Sequence, residues 1–355
     1  MRSNPQMTPR DCPAPAAHGH GHGLPPSLSP SPADEGKLLA LLEPLRPQMQ
    51  QVRDLLQERV AQLREPLGPL LQHLLLGGKQ LRPALVLLIG DLFAAPAAPF
   101  QHLAAAVEML HTATLLHDDV VDQSRLRRGR ETLHTVWPTG AAVLAGDCLL
   151  GQATLLVAEL QHPRVFWSFG QLLCTMCAGE IHQTLVTRGK HTSREEYMGS
   201  IEAKTASCFA ALAGMAGLLA EADERQVAAL RLFGRELGLA YQIVDDVLDF
   251  VGDESRLGKP AGSDLRQGLI TLPLLCYLEM VPGDGPVRDL LAGQADEEKV
   301  QALLETVRTS GALPAALSEA QAHAERAQQA LVPLPNNRAL RTLRSLAAYV
   351  VDRDR

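Results

Sequence analysis

Two short stretches hold the side chains most able to do chemistry: His117-Asp118-Asp119-Val120-Val121-Asp122 and Val244-Asp245-Asp246-Val247-Leu248-Asp249. Each is a D-D-x-x-D string closing a long apolar run. At about 100° per residue, Asp118 and Asp122 fall within roughly 40° of one another on a helix, and so do Asp245 and Asp249. Each helix therefore carries two carboxylates on one face and a third beside them. So much negative charge needs a cation. Mg²⁺ suits it, because Mg²⁺ takes few carboxylates, keeps some water and fills its shell with substrate phosphate oxygens. A single string would equally describe a solvated acidic helix end. Two of them, each followed by basic or glycine-rich sequence, point to a metal site with Asp118, Asp119, Asp122, Asp245, Asp246 and Asp249 as candidate ligands.

Cations stand near these acids in the sequence. In Gly77-Gly78-Lys79-Gln80-Leu81-Arg82-Pro83 the glycines let backbone approach an anion. Lys79 and Arg82 add charge at a helix start, where N–H groups already point outward. Arg127-Arg128-Gly129 follows the first acidic string closely, and an arginine fork matches phosphate oxygens. Lys204-Thr205 forms a third group, with Gln242 one turn before Asp245 and Lys259 in the loop after Asp249. This is more positive charge than one phosphate requires, and two diphosphates would account for it.

The elements that must position these groups read as helices. Of 355 residues 46% are hydrophobic and only 4% aromatic, with Ala and Leu dominant, which favours helix over sheet. A net charge of −7 argues against a general nucleic-acid binder. The six cysteines show no framework spacing, which fits reduced thiols in a cytoplasm. Cys174 and Cys177 lie inside a predicted helix and read as core rather than as a metal or redox pair. No apolar run reaches about 18 residues, so no transmembrane span is expected, and the N-terminus lacks an apolar signal core.

Residues 1–34 are rich in Pro, Ser, Ala and His and are predicted to be a disordered tail. Its His18-Gly19-His20-Gly21-His22-Gly23 could hold a transition metal weakly, although a tail without such a role is the simpler reading. Helical periodicity runs over 37–63, 85–93, 100–122, 141–160, 165–187, 209–220 and 223–251. Ser193-Arg194-Glu195-Glu196 is a capping box that starts another helix. At least three more follow. Residues 125–130 read as a basic loop, 258–268 as a second loop, and no strand alternation is evident. The expectation is one all-α domain spanning 35–355.

With these residues in view the chain resembles the trans-polyprenyl diphosphate synthases, the farnesyl, geranylgeranyl and longer-chain group. The matching stretches are GGKQLRP (77–83), HTATLLHDDVVDQSRLRRG (111–129), GEIHQ (179–183), KT (204–205) and YQIVDDVLDFVGDESRLGKPAGSDL (241–265). The resemblance implies an all-α isoprenoid-synthase bundle around a central cavity, usually a homodimer. It implies Mg²⁺ on Asp118, Asp122 and Asp245 with Asp119 and Asp249 in support, an allylic diphosphate that ionises, and isopentenyl diphosphate that attacks the cation. Lys79, Arg82, His111 and Arg128 would hold isopentenyl diphosphate. Arg127, Lys204 and Lys259 would hold the allylic diphosphate, and Thr205 and Gln242 would face the cation. Glu180 and Gln183, one turn apart, would face the same cavity. Two positions depart from the pattern: Gln183 stands where short-chain members often have an acid, and Gly268 is followed by Leu269 where many have Lys.

Product length depends on what lines the helix before Asp118. Ala113 and Thr114 lie one turn back, with Leu110 and Ala106 beyond. None is aromatic, so a growing chain should pass, and a product of roughly thirty carbons or more is expected. A small Ala113 could instead serve helix packing. The alternatives are a twenty-carbon product, or a non-catalytic subunit of a two-component synthase, which would be expected to lose acids from one string. Release of a long apolar product would call for peripheral membrane contact.

Overall fold

Among the described residues the chain is helical almost throughout, and Pro44 makes the first break. The structure, a computed structural model, describes residues 32–63, 65, 67–75, 80–127, 130–182, 193–251, 261–282, 287 and 297–353. The tail of residues 1–31 lies outside them, as do Lys79, Arg128, Gln183 and Lys259. Helix α1 (Pro32–Leu42) passes through a 3₁₀ turn at Glu43–Leu45 into α2 (Arg46–Ala61). The sequence predicts one helix here, but Pro44 has no N–H to continue the ladder. Met49, Val52, Leu56 and Val60 form the buried stripe of α2.

After α3 (Leu67–Leu75) comes α4 (Leu81–Leu92), which starts earlier than its apolar run suggests and takes Pro83 into its first turn. Gln80 before it is left-handed at φ 47°, an uncommon conformation for a residue with a side chain. Helix α5 (Ala97–Val121) is 25 residues long, and Asp122 caps its C-terminus. A two-strand ribbon follows where the sequence reads as a loop. β1 (Leu126–Arg127) pairs antiparallel with β2 (Arg130–Glu131), Leu126 opposite Glu131. Strands this short leave no alternation to detect.

Helices α6 (Leu133–Val136), α7 (Thr139–Glu159) and α8 (Pro163–His182) lead to α9 (Arg194–Ile201). The Ser193 capping box is formed with Glu196, as expected. A π turn, Glu202–Ala206, then runs directly into α10 (Ser207–Leu219). Helix α11 (Glu224–Val251) spans 28 residues, and α12 (Ser263–Arg266) follows it. The remainder is α13 (Leu272–Met280), α14 (Glu297–Thr309), α15 (Ala312–Ala330) and α16 (Arg338–Asp352).

Helix α10 is the centre of the packing, against α4, α5 and α8 on one side and α11 on the other. Glycines make that last approach possible. A Cβ on Gly234 would lie 2.3 Å from the Phe209 carbonyl oxygen, and one on Gly238 2.6 Å from Ala206 Cα. Helix α11 can therefore press its middle against α10 and the π turn. Phe100, Phe209, Phe233 and Phe250 are among the largest fully buried side chains.

One sequence reading is corrected. Cys174 and Cys177 are exposed on α8 rather than in the core. They share that helix's outer face with Trp167 and Ile181, so an apolar stretch there did not mean burial. By length and composition α7 could cross a membrane, but Ala142, Ala145, Leu149, Ala153, Leu156 and Val157 bury one side of it, and it packs along α5 as part of the bundle.

Candidate active site

Helix α5 delivers the first acidic string and α11 the second, and the π turn between α9 and α10 links them. Lys204 Nζ lies 2.7 Å from Glu180 Oε1 on α8 and 3.9 Å from Asp118 Oδ2 on α5. Its neighbour Thr205 donates to Gln242 Oε1 at 2.8 Å, and Gln242 Nε2 donates to Asp246 Oδ1 at 2.8 Å. A regular α-turn offers one side chain per roughly 100°. The wider π turn, which tends to occur at functional sites, lets consecutive residues reach two different helices.

The aspartates divide by burial. Asp119, Asp246 and Asp249 are 4%, 4% and 2% exposed, while Asp122 is exposed and Asp245 half-buried. Asp119 Oδ1 receives Arg127 Nε at 2.6 Å. Asp246 Oδ2 accepts from the Tyr197 hydroxyl at 2.7 Å. Asp249 Oδ2 accepts from the backbone N–H of Asp264 at 3.1 Å, and its carbonyl oxygen from Gly262 N–H at 2.7 Å. Asp245 Oδ1 holds Arg353 Nη2 at 2.6 Å.

These surroundings shift the acids as electrostatics requires. Burial pushes the Asp118 carboxyl up to about 6, Lys204 partly opposes the shift, and Glu180 and Asp122 reinforce it. Burial likewise raises Asp119 against the pull of Arg127. Asp246 is raised by burial and by the nearby charge of Asp264. For Lys204, burial works against the charge, but Asp118 and Glu180 outweigh it and the ammonium is held above its usual range.

Near the start of α4, Arg82 Nη1 approaches His111 Nε2 at 3.3 Å, and its guanidinium sits 5.0 Å from the centre of the Phe209 ring. Arg82 Nε is buried with no hydrogen-bond partner among the described residues. A buried cationic donor left open in this way suits an anion, since burying it unsatisfied is costly.

Of the sequence candidates, Asp118, Asp122, Lys204, Glu180, Thr205, Gln242, Asp245 and Asp246 are joined in one connected region by the contacts above and by the charge coupling of Asp118 to Asp122. Arg127 is engaged by Asp119. Tyr197 and Arg353 were not anticipated, because each reaches its aspartate from a distant part of the chain. The motif spacing carries no signal for either.

Asp118, Asp122 and Asp245 are reachable hard-oxygen donors, which fits a divalent ion. Among the described residues no three acids or imidazoles lie close enough to form a finished metal cage. An open site suits an ion that takes one or two carboxylates and shares a substrate's phosphates.

Comparisons with known proteins agree. Residues 64–307 match the polyprenyl synthetase family model. Over 90% of its length the chain is 35% identical to a heptaprenyl diphosphate synthase component 2 of Geobacillus stearothermophilus, covering 99% of that protein. It is 37% identical to an all-trans-nonaprenyl-diphosphate synthase (geranyl-diphosphate specific) of Rhodobacter capsulatus, across 78% of this chain and 86% of that one. A polyprenyl synthase from Caulobacter crescentus CB15, solved with calcium and isoprenyl diphosphate, superimposes with a TM-score of 0.84 at 36% identity, covering 92% of this chain and 99% of that one. The chain belongs to the polyprenyl synthetase family and is a trans-prenyltransferase. Enzymes of this family generally use divalent metal ions.

A carboxyl raised on folding lends stability that is complete below its unfolded pKa and lost as pH climbs through its folded one. For Asp118 that loss runs from 3.8 to about 6. Near neutral pH the ionised group therefore weakens the metal-free fold. Asp118→Asn should stabilise the metal-free protein by about 1–3 kcal/mol while lowering turnover about 10²-fold or more. Urea denaturation and steady-state rates check both. A variant less stable than the parent would mean that Asp118 is not strained.

Proposed function

We propose that the chain condenses isopentenyl diphosphate head to tail with an allylic diphosphate, in a Mg²⁺-dependent reaction, to give a long all-trans polyprenyl diphosphate and diphosphate. The observation that carries this reading is the Lys204-Thr205 turn, which joins the acids of α5 to those of α11. Magnesium on Asp118, Asp122 and Asp245, with Asp119, Asp246 and Asp249 behind them, would supply Lewis-acid stabilisation of the departing diphosphate.

The chain's own residues do the rest. Arg82 and His111 take the diphosphate of isopentenyl diphosphate, joined by similarity by Lys79 and Arg128. Lys204 sits at Asp118, where the allylic diphosphate is to be held, with Arg127 and Lys259 in the same role. Because Thr205 gives its proton to Gln242, its oxygen lone pairs remain for an electron-poor carbon. The allylic C–O bond breaks and its electron pair leaves with the diphosphate. The isopentenyl double bond supplies the electrons of the new C–C bond, and a proton passes to the released diphosphate. No protein base is required.

A long product is supported by the relatives named for heptaprenyl and nonaprenyl chains. The side chains before Asp118 are small, but Ala106 and Ala113 are fully buried in the core, which fits close helix packing, and Thr114 turns its hydroxyl to the His111 carbonyl at 2.8 Å. A homodimer is supported by a stripe of outward apolar side chains at helical spacing. Leu144 and Leu155 lie on α7, and Phe166, Trp167 and Ile181 on α8, with Trp167 69% exposed. Contiguous apolar surface of this kind marks association sites. A cytoplasmic location, with peripheral membrane contact for product release, completes the reading.

A second reading is favoured by the component 2 relatives: catalysis by this chain could require a separate partner subunit. Purified chain alone, given labelled isopentenyl diphosphate, Mg²⁺ and each allylic primer in turn, should elongate at least one of them. EDTA should abolish the activity and Mg²⁺ restore it. Inactivity rescued only by a second protein would establish the two-component form.

In the same assay Ala113→Phe should shorten the products sharply while isopentenyl consumption continues, since an aromatic ring would fill the path. An unchanged ladder would show that α5 does not line it. Leu144→Glu with Trp167→Glu should convert a dimer to monomer in sedimentation, and an unmoved dimer would place the interface elsewhere.

A further inference from the structure

The last described residue, Arg353, reaches the second acidic string. Arg353, the residue that caps α16, leaves the helix in an extended conformation. Its side chain, 1% exposed, drops against α11. Nη2 donates to the Tyr241 carbonyl at 2.7 Å and to Asp245 Oδ1 at 2.6 Å, and the guanidinium stacks 3.9 Å from the Tyr241 ring centre.

We propose that Arg353 is the cation Asp245 holds while no divalent ion is bound, and that metal entry at α11 requires Arg353 to withdraw. This rests on the reading that Asp245 is a metal ligand. Three observations support it. Asp245 is the only accessible acid of its string, since Asp246 and Asp249 are buried and already bonded to Tyr197, Gln242 and the Asp264 backbone. A guanidinium and a divalent ion cannot both sit on one carboxylate oxygen without strong like-charge repulsion. Finally, the docked pose is incompletely satisfied: Arg353 Nε is buried with no hydrogen-bond partner among the described residues, a cost that withdrawal removes. Because Arg353 follows the last helical residue, it can swing out without unwinding α16.

The test is made on the full chain without substrate. Manganese titration followed by EPR of the free ion compares the parent, Arg353→Met and Asp245→Asn. Arg353→Met should bind Mn²⁺ roughly tenfold more tightly, equivalent to about 1.4 kcal/mol, and Asp245→Asn should lose that site. A second measurement needs no variant. In the parent, Mn²⁺ with inorganic diphosphate should speed amide exchange in residues 349–353 relative to metal-free protein. Equal Mn²⁺ affinity in Arg353→Met and parent would make Arg353 a fixed pin of α16 and overturn the proposal, as would unchanged exchange at the C-terminus. If Asp245→Asn binds Mn²⁺ as the parent does, the metal assignment of Asp245 itself fails, a result separate from the first.

Discussion

Six carboxylates on two helices repel one another, and the rest of the site is organised around that repulsion. Side chains one helical turn apart lie about 5–6 Å from each other. Two such charges cost about 3 kcal/mol at an effective dielectric near 20. The chain supplies the counter-charges from elsewhere. Lys204 comes from the π turn to Asp118, Arg127 from the β-ribbon to Asp119, and Arg353 from the C-terminus to Asp245. Asp246 receives Tyr197 and Gln242 instead. Lys204 and Arg127 are thus committed to acids of the first string in the free chain.

A bridging turn works only if it is held still, and a partly exposed ion network centred on the buried Glu236 is built against it. Arg235 on α11 forks onto Glu202, the first residue of the π turn, at 2.6 and 2.8 Å. It also donates to Glu236 at 2.7 Å, whose other oxygen meets His323 at 2.7 Å and Arg326 at 2.8 Å on α15. Burial works against the Glu236 charge, yet His323 and Arg326 outweigh it and hold its pKa down at about 2. Removing one member of such a network leaves buried charge uncompensated. Glu202, where the network meets the turn, stands two and three residues before Lys204 and Thr205.

The helices and the acids were legible in the sequence because both follow local rules. Apolar spacing, the Ser193 capping box and the D-D-x-x-D strings need no knowledge of distant neighbours. Pro44 shows the limit of periodicity, which continued across a residue that cannot continue a helix. Cys174 and Cys177 show another, since an apolar helix face turned to the outside has the same pattern as one turned inward. The π turn was invisible, because Glu202–Ala206 has unremarkable helix-forming residues and the groups packed against it, Gly238 and Arg235, lie more than thirty residues away. Arg353 and Tyr197 were missed because their partners lie 108 and 49 residues away. The basic residues stood out in the sequence by charge, but not as partners of specific acids.

A D-D-x-x-D string cannot put three acids to one use. The first and last residues share a face, and the middle one points about 100° away. In both helices that middle residue is buried to the same degree and bonded to protein: Asp119 to Arg127, Asp246 to Tyr197 and Gln242. The first residue of each, Asp118 or Asp245, is instead partly exposed and faces a single side-chain cation, Lys204 or Arg353. The last residues differ in burial: Asp122 is exposed, whereas Asp249 is buried and accepts from the backbone of the α12 turn. The two strings, alike in sequence, are therefore unlike as ligands. The string on α5 offers two accessible carboxylates, and the one on α11 offers one, covered by Arg353.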